Sequence, residues 1–210
     1  TSEATGKDVA DSVSEIAVTG TANVKDADGN DVTADFDVKV TKGHLTISKA
    51  EVTLASASLT KEYDGTALKN SDAESLGVEV NENGLQTESG WAEGEGADYS
   101  FTGSQTLVGN SANAFTYTLN EGTKAENYTI SKTEGTLTVK NRDAKYEVTI
   151  TANSYEGTYD GESHTASGFE GEEDGKVAVT ASNGLTYYVS GLTSEATGKD
   201  VADSVSEIAV

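Results

Sequence analysis

The 18 residues Thr1–Val18, TSEATGKDVADSVSEIAV, recur without a change as residues 193–210. No chance process gives eighteen matches in eighteen positions, so the chain spans one period of 192 residues plus an overlap into a second copy. Self-similarity of this kind is the signature of a repeat architecture and outranks any local reading. The expected parent is a tandem array, and the absence of Met adds the expectation that the chain is an internal piece of it.

A weaker repeat lies inside the period. Glu51-Val52-Thr53-Leu54 returns as Glu147-Val148-Thr149-Ile150 and Tyr63-Asp64-Gly65 as Tyr159-Asp160-Gly161, both displaced by 96, half of 192. Further on, Tyr128-Thr129-Ile130 matches Phe36-Asp37-Val38, and Gly135-Thr136-Leu137-Thr138-Val139 matches Gly43-His44-Leu45-Thr46-Ile47, displaced by 92. The slip in register implies insertions, which belong in loops. They fall in the Gly/Glu stretch around Trp91 in one module and at Asp26–Asp31 in the other. Module A is then 50–140, and module B is 141–192 continued cyclically by 1–49. Residues 141–210 read as the first part of a module B and 1–49 as the strands that complete a preceding one. Pairing of 141–192 with 19–49 is expected, within the chain or from a neighbouring molecule placed head to tail.

Short runs with a period of two dominate: Val52 and Leu54; Phe115, Tyr117 and Leu119; Tyr128 and Ile130; Leu137 and Val139; Phe36, Val38 and Val40; Leu45 and Ile47; Val148 and Ile150; Val177 and Val179. Gly, Asn or Asp bounds each run, as strands and turns require. Ser71-Asp72-Ala73-Glu74 reads as a capping box opening a turn or two of helix. Residues 201–210 tolerate helix, but their match to the Phe115 run argues for β at Ile208 and Val210. The fold class is mostly β, with at most one short helix in each module.

Lys61-Glu62-Tyr63-Asp64-Gly65-Thr66, followed by Asn127-Tyr128-Thr129-Ile130 and Glu134-Gly135-Thr136-Leu137-Thr138-Val139, resembles the tandem YDG/MBG-type repeats of large bacterial surface adhesins. In module B, Gly29–Phe36 and Gly43–Ile47 carry the same pattern. The resemblance implies two ubiquitin-like β-grasp modules per period. It further implies an extracellular, wall-attached stalk active in cell adhesion or biofilm formation. Module B departs from it in offering no clear helix.

Composition narrows the functions. Acidic residues number 36 against 14 basic, a net charge of −22 that opposes nucleic acid and anionic lipid. No apolar run approaches the roughly 20 residues that span a bilayer. Zero Cys excludes disulfides, thiolate nucleophiles and Cys-held metals. Hydrophobic residues make up 35% of the chain, below the usual ~45–50%, so any core is thin.

Candidate chemistry is sparse. Asp26, Asp28 and Asn30 have the spacing that opens a calcium loop, with Asp37 in the twelfth position, but Asp31 occupies the sixth, where the sharp turn needs Gly. Local side-chain hydrogen bonding in a hairpin is the competing reading. Glu88, Glu93, Glu95 and Asp98 form one acidic cluster and Glu170, Glu172, Glu173 and Asp174 another; paired carboxylates can hydrolyse glycosides, yet Gly-rich loops read as solvated charge. Trp91, the only Trp, either stacks on a sugar face as a ligand contact or folds back over the thin core. His44 and His164 lack metal-ligand company. No catalytic residue, metal or cofactor is expected, and the chain does not read as an enzyme. The leading expectation is an extended spacer whose partners are neighbouring copies of the same repeat; its rival is a multivalent module for host glycans or mucin.

Overall fold

The structure is a computed structural model that describes residues 1–208. It is mostly β, with short 3₁₀ turns. The chain divides into two compact units, one of residues 1–61 with 67–139, the other of residues 62–66 with 140–210.

In the first unit the strands are β1 (Ala50–Ala55), β2 (Leu59–Glu62), β3 (Thr87–Ser89), β4 (Ala97–Phe101), β5 (Gly109–Ala112), β6 (Phe115–Leu119), β7 (Tyr128–Thr133) and β8 (Thr136–Lys140). They form three small sheets, ordered β3-β1-β7, β2-β8-β5 and β4-β6. β1 sits centrally, antiparallel to β3 and parallel to β7 in the register Ala50 to Tyr128, Val52 to Ile130 and Leu54 to Lys132. Alternation in Glu51-Val52-Thr53-Leu54 sends Val52 and Leu54 inward, where both are fully buried. They meet Leu85, Phe115 and Tyr128, and Trp91, Tyr99, Phe101, Tyr117 and Ile130 pack around that cluster. Leu59, Leu68, Leu137 and Val139 are buried as well.

Three polar residues are buried in this unit, Ser56, Asn70 and Asn113. The Asn113 side chain is fully buried, and its amide nitrogen donates to Ala57 O at 2.8 Å and Asn70 Oδ1 at 2.7 Å. Ser56 Oγ donates to Asn113 O at 2.6 Å. These bonds fix the connections β1–β2 and β5–β6 against each other, while Asn113 Oδ1 is buried without a hydrogen-bond partner.

The segment expected to open a helix forms two 3₁₀ turns, Asn70–Asp72 and Glu74–Leu76. Asp72, rather than Ser71, supplies the cap, accepting the Lys69 N–H at 2.8 Å. Left-handed Gly77 ends the second turn before an α-helix can propagate.

In the second unit the strands are β9 (His164–Ser167), β10 (Glu172–Glu173), β11 (Lys176–Thr180), β12 (Thr186–Ser190) and β13 (Glu195–Gly198). They form a β10-β11-β12 sheet and a β9-β13 pair. Asp174 and Gly175, both at positive φ, make the two-residue turn between β10 and β11. Phe169, Val177 and Val179 form a smaller core with Ile150, Ala152, Tyr187 and Val189. Tyr187 faces that core, while Tyr188 is exposed.

Three segments with strand patterning form no strand among the described residues: 36–40, 147–150 and 45–47, the last making only an isolated bridge at Leu45. Phe36 is 57% exposed, Val40 59% and Val148 43%. Ile208 also lies outside any strand, and Val210 lies outside the described residues.

Candidate functional site

Trp91 lies over the first unit's core. Its ring meets Tyr128 edge to face, centroids 4.9 Å apart, and its Nε1–H donates to Tyr99 Oη at 3.3 Å. The Tyr99 hydroxyl donates in turn to Glu88 Oε1 at 2.6 Å, and the amides of Asn81 and Asn83 donate to Glu88 Oε2 at 2.6 and 2.9 Å. Tyr128 Oη donates to Glu95 Oε2 at 2.7 Å and accepts the Ala92 N–H at 3.2 Å. Gly90 makes the approach possible, because at φ 98° a Cβ there would collide with the Glu51 carbonyl.

Partial burial opposes ionisation of Glu88, but donation from Asn83, Tyr99 and Asn81 outweighs it and holds the carboxyl below its ordinary value. Burial, reinforced by Glu88, pushes the Tyr99 phenol up; burial and Glu95 do the same to Tyr128. Both directions favour a charged Glu88 carboxylate and protonated phenols at neutral pH. The network clasps loop 90–96 onto the core, with the indole N–H and both phenols engaged internally.

The second candidate, loop 26–31, is also closed on itself. Asp26 accepts the backbone N–H of Asp28 at 3.0 Å and of Asn30 at 2.8 Å, plus the Asn30 side-chain amide at 3.0 Å. Donation from the Asn30 side chain is the largest cause holding its carboxyl below the ordinary value. Asp31 takes the Thr33 N–H at 3.0 Å and the Asn23 amide at 3.2 Å. Asp28 accepts nothing comparable, and Asp37 points to solvent beside Lys39. Among the described residues no three His, Cys, Asp or Glu side chains are grouped to hold a metal ion.

Glu88 and Glu95 are engaged by different tyrosines. Glu172 accepts the Phe169 N–H at 3.0 Å, and Asp174 forms the β10–β11 turn. His164 stacks on Tyr155, centroids 4.4 Å apart, and its Nε2 lies 3.1 Å from Asp160.

One polar cluster escapes sequence reasoning because its members lie more than a hundred positions apart. Asp8 receives the Lys124 ammonium on one carboxylate oxygen and the Asn127 amide on the other, the latter at 2.8 Å. Asn127 Oδ1 in turn accepts the Val9 N–H at 2.9 Å. The hydrogen bond from Lys124 is the leading cause that holds the Asp8 carboxyl below its ordinary value. Further along, Val13 bridges to Leu45, and Ile16 N–H donates to Gly43 O at 2.7 Å.

The duplicated segment thereby has two environments. Its local structure is the same in both: Val9–Asp11 and Val201–Asp203 are 3₁₀ turns, closed by Asp11 and Asp203 accepting the backbone N–H groups at positions 7 and 8, and 199 and 200. What each copy buries differs. In the first, Asp8 and Val9 dock while Ser2 is exposed; in the second, Ser194 is buried and Glu195–Gly198 pair with β9, while Val201 is 78% exposed. Identical residues therefore dock through positions 8–16 of the segment in one place and through positions 2–6 in the other.

The chain matches no family model, no curated protein and no solved structure.

Proposed function

We propose that this chain is one period of a tandem-repeat stalk, a spacer that carries a distal binding region away from a bacterial surface in adhesion or biofilm formation. The observation that carries this reading is the unchanged return of 18 residues after 192. Near-identical repeats let recombination set length, and stability then follows neighbouring units approximately additively. Without the second copy of the segment, which holds four acids and one Lys, the charge is −19 per period. Multiplied along an array, that charge repels neighbouring stalks and keeps similar strand edges from pairing out of place.

The β-grasp reading of module A finds support in the central parallel pairing of β1 with β7, an early strand beside a late one. Two 3₁₀ turns stand where such a fold carries its helix. Engagement of the Trp91 indole N–H and of both phenols inside module A favours a spacer over a sugar-binding platform.

Small-angle scattering on chains of one, two, three and four periods tests the proposal. A maximum dimension rising linearly with period number is expected. Compact particles whose dimension grows only slowly overturn it, as does glycan binding that Trp91→Ala abolishes.

A further inference from the structure

In module A the parallel pair β1 and β7 forms the centre of the sheet, with Val52 opposite Ile130 and outward Glu51 opposite Thr129. The offsets of 96 and 92 carry this pair onto module B residue by residue. Tyr146 then falls opposite Phe36, Glu147 opposite Asp37, Val148 opposite Val38 and Ile150 opposite Val40. Both segments keep the alternation that a pleated strand needs, apolar at Tyr146, Val148, Ile150, Phe36, Val38 and Val40, polar at Glu147, Thr149, Asp37 and Lys39. Among the described residues neither belongs to a ladder, and Phe36, Val38, Val40 and Val148 are exposed, whereas Tyr146 is half-buried and Ile150 packs on the Phe169 core.

The duplicated segment points the same way. One copy engages residues 164–167 through its first half, the other engages Leu45 and Gly43 through its second half. A single copy using both halves would tie 141–192 to 19–49, the two parts of module B.

We infer that residues 141–198 of one copy of this chain and residues 9–49 of a second copy form one module, with 147–150 parallel to 36–40 in the register Val148 to Val38. The contact is heterologous, so each molecule offers one half at either end of its sequence and the assembly grows head to tail. The added strand supplies backbone hydrogen bonds, and the Phe36, Val38 and Val40 side chains fix the register, because a slip of one residue would turn them to solvent. The inference rests on the tandem reading, but the two fail separately: molecules can link this way and yet form no extended rod.

The chain has no Cys, so introduced pairs report without interference. Asp37→Cys with Glu147→Cys places thiols on the outward face at matched positions, about 5 Å apart between Cα atoms of adjacent strands and within disulfide reach. Lys39→Cys with Glu147→Cys is two residues out of register and beyond that reach. Under mild oxidation of the full chain, the matched pair is expected to give a ladder of linked oligomers at least ten times faster than the mismatched pair. Equal rates overturn the inference, and so do bonds formed within single molecules. The unsubstituted chain supplies an independent reading: amides at 36–40 and 147–150 gain protection from hydrogen exchange as protein concentration rises. Fast exchange at every concentration overturns the inference even where the variants fail to fold.

Discussion

Glu51–Leu54 and Glu147–Ile150 are nearly the same four residues, yet the first is the central strand of a sheet and the second is in no ladder. Around Val52 and Leu54 the chain supplies β3 on one side, β7 on the other and Phe115, Leu85 and Tyr128 above. Around Val148 the described residues supply no strand partner, and the side chain is 43% exposed. Strand propensity alone does not make a strand, since a lone strand satisfies neither its backbone groups nor its apolar face. Turns behave otherwise. Asp64 and Asp160 each accept a backbone N–H two residues on, at 2.8 and 2.9 Å, with Gly65 and Gly161 at φ 83° and 84°. Both Tyr-Asp-Gly turns form alike because their hydrogen bonds are local.

The contrast is sharpest in the cores. Leu54→Ala is expected to destabilise the first unit by about 3 kcal/mol, whereas Val148→Ala in the isolated chain changes stability by less than about 0.5 kcal/mol. Urea unfolding checks both, and equal losses would break the comparison. Close backbone approach gives the next effect. Gly90→Ala meets both positive φ and the Glu51 carbonyl, and should destabilise by more than about 2 kcal/mol; Gly94→Ala meets only φ 77° with open space around it and should stay near 1 kcal/mol. Asn113→Ala strips the buried amide from Ala57 O and Asn70 Oδ1 and should destabilise the first unit by about 2 kcal/mol, read from its thermal midpoint.

The smallest effect compares the two copies of the duplicated segment. Asp8 is more acidic when docked than when free, so its contribution is complete at neutral pH and is lost as pH falls through the docked value. Below about pH 4 the Val9 amide, which donates to Asn127, should begin to exchange faster, while the Val201 amide, with no such acceptor, keeps its rate relative to neighbouring exposed amides. Asp8→Asn should remove that difference in pH response.

Much of the fold was legible because it is local or periodic. The alternations at Val52, Phe115, Tyr128, Leu137 and Val177 each became a strand. In sequence Asp174 reads only as loop charge, although Asp174-Gly175, between Glu172-Glu173 and the Val177 run, is the pair that makes the hairpin turn. The turn at 70–76 was legible in place but not in type, since Asp72 caps Lys69 and Gly77 stops the chain within two 3₁₀ turns. The Asp8, Lys124 and Asn127 cluster was not legible, because no local pattern links residues brought together only by folding. Trp91 allowed two readings in sequence, and its contact with Tyr99 and Tyr128 depended on strands far along the chain.

The central claim is that modules A and B are one fold used twice, and that module B is whole only where one copy follows another. Hydrogen exchange followed by mass spectrometry on a chain of two successive periods tests it most directly. Peptides covering 147–150 and 36–40 then each come from two positions, one inside a completed module B and one outside it. At protein concentrations too low for separate chains to link, the account predicts two equal mass envelopes for each peptide, one exchanging as slowly as Val52 and Leu54 and one fast. A single fast envelope would contradict it.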